Sequence, residues 1–447
     1  MKKIRRSQLV FNLLGKRYGF DLTNMVSFVG ENQFWSDDQI YEYQFEQLKK
    51  LISHAYLKVH YYHKVMNDLG MKPGDFKCID DLKHFPIIGK DDIMHDYDSF
   101  LASGFKEYHP MERSTGGTTG VPFKYYNDVY SWGLNWATKI RTFSWGGYRF
   151  GEDRIAVLKG GSMLGKGDFS PVTRFWKYLH NYYTIPIINM TPETMDFHFR
   201  KIVSGKIRFI RGFPSALYTF SKYLASKGVT YPMKGVFTSA EMLYDYQRQV
   251  IEQVFGHYII DAYGCGDGMA GANQCELHDG YHVNIETCYM EITDDSGEST
   301  PPGAEGNVVV TSLHDYAMPL IRYAPGDMAI PSRTKCKCGR NLPLLSRIIG
   351  RSADLFHLPN GRVLNGLSIP FEDWFEKIEK FQLIQEKTDL VVLRLVPKEN
   401  YTPADEKHMY KLLAHNLGEG VTIKLDYVDH IDNTTAGKFR YIISRVN

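Results

Sequence analysis

The 447-residue sequence has no apolar run long enough to cross a bilayer, no low-complexity tract and no repeat of fixed period. A polytopic helical membrane protein and a repeat solenoid are therefore not expected, and linkers between domains must be short. It also lacks a strong charge of either sign: with a formal net charge of +2 it carries no field that points to nucleic acid, so the expected partner is a small molecule. A secretory leader is not expected, because the run Leu9 to Leu14 behind the basic Met1 to Arg6 is broken by Asn12 and stopped by Lys16. The six cysteines are then expected to be reduced thiols in a cytoplasmic protein.

What is present reads as an α/β chain of more than one domain. Apolar residues Leu48, Leu51, Ile52, Ala55 and Val59 recur at helical spacing through Tyr41 to Tyr62, and Pro73-Gly74 ends that region. Between about 150 and 350, short apolar runs alternate with helical stretches. Arg154 to Leu158, Ile185 to Ile188, Ile207 to Ile210, Gly235 to Thr238 and Tyr258 to Ala262 predict buried strands of an α/β sheet. After Val283 the texture turns to hairpins, with Tyr289 to Thr293, a turn at Asp294 to Gly297, and Asn307 to Thr311 returning. The last hundred residues read as strand Val391 to Val396, helix Pro403 to Leu417, strand Thr422 to Val428 and strand Tyr441 to Ile443. The expected layout is a large N-terminal domain over 1–350, with a β-rich subdomain at about 283–350, and a small α+β domain over 351–447.

Chemistry first shows in Ser114-Thr115-Gly116-Gly117-Thr118-Thr119-Gly120-Val121-Pro122, where three glycines and four hydroxyls offer bare amides and OH donors to polyphosphate. A flexible surface loop is the alternative. A second glycine run, Gly160 to Gly167, fits GxxxxGK after a strand but has Gly167 where a P-loop needs a magnesium-binding hydroxyl, and Asp168-Phe169-Ser170-Pro171 is a poor helix start. The cysteines fall unevenly: Cys336 and Cys338 make a CxC, and Cys275 is followed by His278 and His282. Two such soft pairs suffice for tetrahedral Zn²⁺, while either pair alone would read as buried thiols.

Six motifs in order resemble the adenylate-forming superfamily, in the branch of phenylacetate-coenzyme A ligases and their capsule-linked relatives. The 114–122 run is similar to TSGTTGxP, with Phe123 in place of the usual lysine and Lys124 one position later. Thr238-Ser239-Ala240-Glu241-Met242-Leu243 resembles the segment lining the adenine, and Tyr263-Gly264-Cys265-Gly266-Asp267 resembles YGxTE. Pro319 to Asp327 is similar to PLIRYxxGD, Gly350-Arg351-Ser352-Ala353-Asp354 to the GRxxD hinge, and Ala436-Gly437-Lys438 to the C-terminal GK segment.

That resemblance implies ATP-dependent activation of a carboxylic acid to an acyl-adenylate, releasing pyrophosphate, followed by acyl transfer. Under it, residues 114–120 hold phosphates, Asp267 holds Mg²⁺, Ser239 to Glu241 with Tyr263 and Gly264 line the nucleotide, and Asp327 takes the ribose hydroxyls. Arg351 would also reach the nucleotide, Asp354 would be the hinge, and Lys438 would be the catalytic lysine of a mobile C-terminal lid. The resemblance further implies a structural zinc on Cys275, His282, Cys336 and Cys338, with His278 as the alternative ligand and Cys265 left to the active site. The thiol of coenzyme A is the leading acyl acceptor, ahead of a carrier-protein thiol or an amine in cell-surface polysaccharide or secondary metabolism. The competing readings are a P-loop ATPase or kinase using Gly160 to Lys166 and a silent zinc-stabilised binding module. The acid and the choice between monomer and homodimer stay open.

Overall fold

In a computed structural model, the structure describes residues 6–114, 123–159, 171–187, 190–256, 259–351, 355–360, 363–365, 374, 377–432 and 439–446. The chain divides into two compact units, Met1–Ile349 and Gly350–Asn447.

The first unit is built on one eleven-stranded sheet. Strands β3 (Ile155–Lys159), β4 (Tyr182–Pro186), β5 (Phe209–Gly212), β6 (Gly235–Ser239) and β7 (Ile259–Cys265) run parallel in the order β7-β6-β5-β3-β4. Helices Pro192–Ser204, Pro214–Ser226 and Asp245–Phe255 pack their apolar stripes on one face, against Ala156, Leu158, Ile210, Val236 and Ile259. The opposite face, carrying Ile155, Val157, Phe209, Phe237 and Ile260, is covered by residues of Arg6–Tyr18, Leu22–Asn32, Val129–Trp145 and Pro171–His180. Burial on both faces explains the unbroken apolar runs of these strands. The strand at Ile185 begins three residues earlier than its apolar run, because Tyr182 and Tyr183 pair with Ile155 and Ala156.

The sheet continues without a break into antiparallel strands: β8 (Ala270–Gln274), β9 (Tyr281–Val283), β13 (Leu344–Arg351), β12 (Asp327–Pro331), β11 (Gly306–Ser312) and β10 (Cys288–Thr293). The hairpin read from sequence is β10–β11, paired from Thr293↔Asn307 to Cys288↔Ser312. The β-rich stretch is thus an extension of the parallel sheet and starts at Ala270, ahead of its hairpin signals. A small hairpin, β1 (Pro110–Ser114) with β2 (Lys124–Asp128), stands apart, with Ser114 opposite Lys124.

The helix expected over Tyr41 to Tyr62 runs Asp37–Lys58, opened by a Ser36/Gln39 capping box, and a second helix follows over His60–Asp68. Val59, in extended conformation, separates them. Helix Val129–Trp145 is pinned to the sheet by buried Arg141, which donates to Glu286, to Asn284 Oδ1 at 2.9 Å and to the Val29 carbonyl at 3.1 Å.

The second unit is a four-stranded sheet, β18 (Thr422–Tyr427), β17 (Leu390–Pro397), β16 (Ile378–Lys387) and β19 (Ile442–Ser444), with helix Pro403–Leu417 and a hairpin of β14 (Leu355–His357) and β15 (Val363–Asn365). Buried Gln385 clips that hairpin to the sheet, accepting from the His357 amide at 3.0 Å and donating to its carbonyl at 2.8 Å. Among the described residues no helix is long and apolar enough to cross a membrane.

Candidate active site and metal centre

The carboxyl ends of parallel strands are where open α/β sheets bind ligands, since loops leave there while the sheet body stays packed. Here the end of β6 places Ser239, Ala240 and Glu241 beside the end of β7, with Ser239 in register with Ala262. Ser239, Ala240 and Gly264 are exposed there. Ala240 sits at φ +71°, a left-handed conformation that costs a non-glycine residue energy and turns the chain sharply off the strand. Glu241 turns back and accepts from the Ser215 amide at 3.0 Å, at the start of helix Pro214–Ser226.

From β7, Tyr263 donates its hydroxyl to Asp327 Oδ2 at 2.7 Å, joining YGCGD to PLIRYAPGD across 64 residues of sequence. Four residues on, Asp267 is buried and accepts from the Cys265 thiol at 2.8 Å and the Tyr323 hydroxyl at 2.6 Å. Burial beside these carboxylates holds the Cys265 thiol and the Tyr263 and Tyr323 phenols well above their ordinary pKa, so all three stay protonated donors. Close approach explains two glycines of this turn: a Cβ on Gly266 would lie 2.7 Å from the Tyr125 hydroxyl, and one on Gly268 2.3 Å from Val310 Cγ2. Ser239 to Glu241, Tyr263 to Asp267 and Asp327 therefore come together.

Other expected residues fall differently. Thr115 to Pro122, including Gly116, Gly117, Thr118, Thr119 and Gly120, lie outside the described residues, as do Gly160 to Ser170, Ser352 to Asp354 and Lys438. Arg351 ends β13, with its backbone alone described. Phe123, in the place where the resemblance expects a lysine, is a core residue packed between the Tyr125 and Tyr323 rings. Lys124 points to solvent and pairs with Glu112 at 3.2 Å. Arg322 of PLIRY is structural: it is buried, bonds the Lys83, Phe85 and Gly297 carbonyls, and pairs with Glu291 at 3.1 Å.

Sequence reasoning missed Tyr323 and Tyr281 as supports. Tyr281 and Thr238 bond the two oxygens of buried Asp261, at 2.8 and 2.6 Å, beneath the ends of β6 and β7. The signal was the alternation of Asp261 and Tyr263 within an apolar strand. Also missed was the buried pair Asp128 and Asp315. Asp128 bonds the Tyr316 and Ala317 amides, Asp315 bonds Asn127 and the Asp128 amide, and burial raises both carboxyls, Asp315 more.

The second cluster lies on the antiparallel half. Cys275 follows β8, His282 is in β9, and Cys336 and Cys338 lie between β12 and β13; their ligand atoms all fall within 4.8 Å of one another. Cys275 Sγ is 3.6 Å from Cys336 Sγ, and Cys338 Sγ is 3.4 Å from His282 Nε2. Burial, aided by Arg340 and Arg141, lowers His282 to about 4, leaving a neutral imidazole at neutral pH. Burial raises Cys275 and Cys336, whereas at Cys338 the hydrogen bonds and charge of Arg340 outweigh it and lower the thiol. His278 is outside the group.

A family model described as the CapK C-terminal domain matches residues 359–445. The chain is 27% identical to the phenylacetate-coenzyme A ligase of Aromatoleum evansii, over 92% of this chain and 95% of that one. It is 20% identical to Protein CapK of Staphylococcus aureus, over 92% and 90% of the two chains. Its fold is similar to that of a 2-hydroxyisobutyryl-CoA ligase solved in the postadenylation state with R3-HIB-AMP, with a TM-score of 0.72 and 19% identity across 92% of this chain and 90% of that one. Fold, ordered motifs and relatives agree: the chain is similar to phenylacetate-coenzyme A ligases and to CapK, and its fold is that of the adenylate-forming CoA ligases.

Proposed function

We propose that this protein joins a carboxylic acid to ATP, releasing pyrophosphate, and passes the acyl group from the resulting acyl-adenylate to the thiol of coenzyme A. The observation that carries this reading is the convergence of Ser239 to Glu241, Tyr263 to Asp267 and Asp327 through the Tyr263–Asp327 hydrogen bond. In-line attack of a carboxylate on the α-phosphorus needs no protein nucleophile, only two anions brought together and their charge neutralised. The exposed backbone of Ser239, Ala240 and Gly264 would accept the flat base, and Asp327, held by Tyr263, would accept ribose hydroxyl protons. The Gly/Thr run 114–120 would donate to the β and γ phosphates, Arg351 would reach the nucleotide, and Asp354 would be the hinge of the 351–447 lid. Lys438 would bridge the acid and the α-phosphate. The neighbouring Phe439 packs against Val396 and Ile431, a footing for the segment that carries Lys438.

Asp267 is the residue that would hold Mg²⁺; each of its oxygens takes one hydrogen bond and keeps a lone pair for a cation, which would screen the phosphates. Three sulfurs and a neutral imidazole within 4.8 Å suit structural Zn²⁺, which would tie β8 and β9 to the loop before β13. Capsule biosynthesis is the setting suggested by the CapK domain match.

The test is pyrophosphate exchange into ATP across a panel of acids. Lys438→Ala should lower acid-dependent exchange by roughly 10²- to 10³-fold while nucleotide binding stays nearly unchanged. Undiminished exchange in that variant overturns the assignment.

A further inference from the structure

Next to the proposed nucleotide wall, the sheet reverses its winding. The chain goes from β3 to β4 on one side, then crosses back to place β5 on the other side of β3. At such a switch point the carboxyl ends of β3 and β5 lie where open α/β sheets bind ligands. Side chains alternate along strands, so Arg211 of β5, in register with Val157 and Phe237, projects on the face covered by helix Val129–Trp145. Its guanidinium carbon lies 5.6 Å from the Phe143 ring centroid and 5.1 Å from that of Tyr182, so aromatic walls fix it. One turn before Phe143 on the same helix, Lys139 keeps solvent-accessible surface while protein around its amine desolvates the charge. Arg113 of β1 is near enough to repel it, and its own guanidinium carbon lies 5.6 Å from the Trp132 ring centroid.

Among the described residues, Lys139, Arg211 and Arg113 have no ion pair with a carboxylate, and Arg113 makes only a weak 3.8 Å contact to Met111 Sδ. Burial, with repulsion from Arg211 and Arg113, brings the Lys139 amine down to about 8. The same field reaches His180, which burial, Arg211 and Lys159 lower to about 4. Like charges held together without a counter-ion cost stability, and folds keep such arrangements where an anion is bound. Aromatic packing fixes Arg211 at Phe143 and Tyr182 and Arg113 at Trp132, and Lys139 lies between Trp132 and Phe143 on helix Val129–Trp145.

We propose that Lys139, Arg211 and Arg113 form an anion subsite that recognises a second negatively charged group on the acid substrate. This rests on the adenylation reading and narrows it: the substrate is an acid with a further carboxylate or phosphate ester, with its reacting carboxylate toward the nucleotide wall. Arg211 is in register with Phe237, two residues before Ser239, so the subsite adjoins that wall by a single strand step. Arg113 immediately precedes the Gly/Thr run, so the phosphates of ATP are the other anion that could occupy these cations.

The experiment measures pyrophosphate exchange with paired acids of equal carbon skeleton, one member bearing a second carboxylate or phosphate and the other an amide or hydroxyl there. Wild type, Lys139→Gln, Arg211→Gln and Lys139→Arg are compared, with ATP affinity measured by calorimetry. Wild type should prefer the doubly charged member by roughly tenfold or more in kcat/KM, the size of one charge-assisted hydrogen bond. Each Gln variant should lose most of that preference through KM, Lys139→Arg should keep it, and the Kd of ATP should not move. Preference for the uncharged member, or an unchanged preference in both Gln variants, overturns the proposal while leaving adenylation standing. So does a tenfold weaker Kd for ATP with preference intact, which gives the cluster to the triphosphate. Absence of exchange with every acid overturns the adenylation reading, and this one with it.

Discussion

The β7 and β3–β5 sides of the parallel sheet differ in how their charge is answered. On the β7 side, Asp267 and Asp327 accept from Cys265, Tyr323 and Tyr263, donors that the fold itself supplies and keeps protonated. On the β3–β5 side, Arg211 faces aromatic rings and Lys139 faces other cations. A carboxylate with its donors in place is oriented before any ligand arrives, so binding costs little rearrangement. Cations without acids gain their counter-charge only when a ligand brings it. One side is thus built for geometry, the other for discrimination.

This contrast can be broken at several points. The zinc proposed at Cys275, His282, Cys336 and Cys338 supports β8 and β9, next to the acidic side and away from β3 and β5. Metal analysis should give about one zinc per chain, and chelation should lower stability by about 4 kcal/mol for an ion bound a thousandfold above its Kd. Nucleotide affinity should suffer more than acid selectivity; a metal-free protein of equal melting temperature refutes the site. Asp267→Ala should then cut exchange by roughly 10²- to 10³-fold without unfolding the chain, as circular dichroism would report. Loss of acid selectivity alone would reverse the roles of the two sides.

Gly268→Ala tests whether packing or hydrogen bonding holds the acidic side, because the added methyl meets Val310 Cγ2 at 2.3 Å. A loss of about 1–3 kcal/mol in urea unfolding is expected, with Arg211-dependent selectivity intact. The smallest effect concerns Asp128 and Asp315, behind the β1–β2 hairpin. Their folded pKa values are raised, Asp315 to about 8 and Asp128 to about 6, so the folded state binds more protons than the unfolded one. The contribution of this pair to stability should therefore be full below the ordinary carboxylate pKa of about 4 and be lost as pH rises toward 8. Asp315→Asn should flatten that fall by about 1 kcal/mol or more between pH 5 and 8, measured as denaturant midpoints. An unchanged slope means the pair shares its charge with groups other than each other.

Much of the architecture was legible because periodicity is a local property. Helix Pro403–Leu417 and the β10–β11 hairpin could be drawn from apolar spacing and turn residues, and β6 to within a residue. The strands β8, β9 and β12 could not, since Ala270 to Gln274 carries no alternation and Asp327 to Pro331 begins inside a motif. Phe123 also defeated local reading. Its role depends on Tyr125 and Tyr323, which come from distant segments.

By itself, the order of residues determined the kind of chemistry: a Gly/Thr run, an acid after YGCG, PLIRYAPGD and a late GK are legible as types and sequence, because reactivity belongs to side chains. It also determined which residue types could hold zinc. Only the tertiary structure decided that His282 and not His278 joins the cysteines, that Tyr263 ties β7 to Asp327, and that Arg211 and Arg113 come close enough to Lys139 to repel its charge. The physical reason is common to all three. Charge, hydrogen bonding and metal ligation act over a few ångströms, and residues separated by tens of positions come within that range only when the sheet brings their strand ends together.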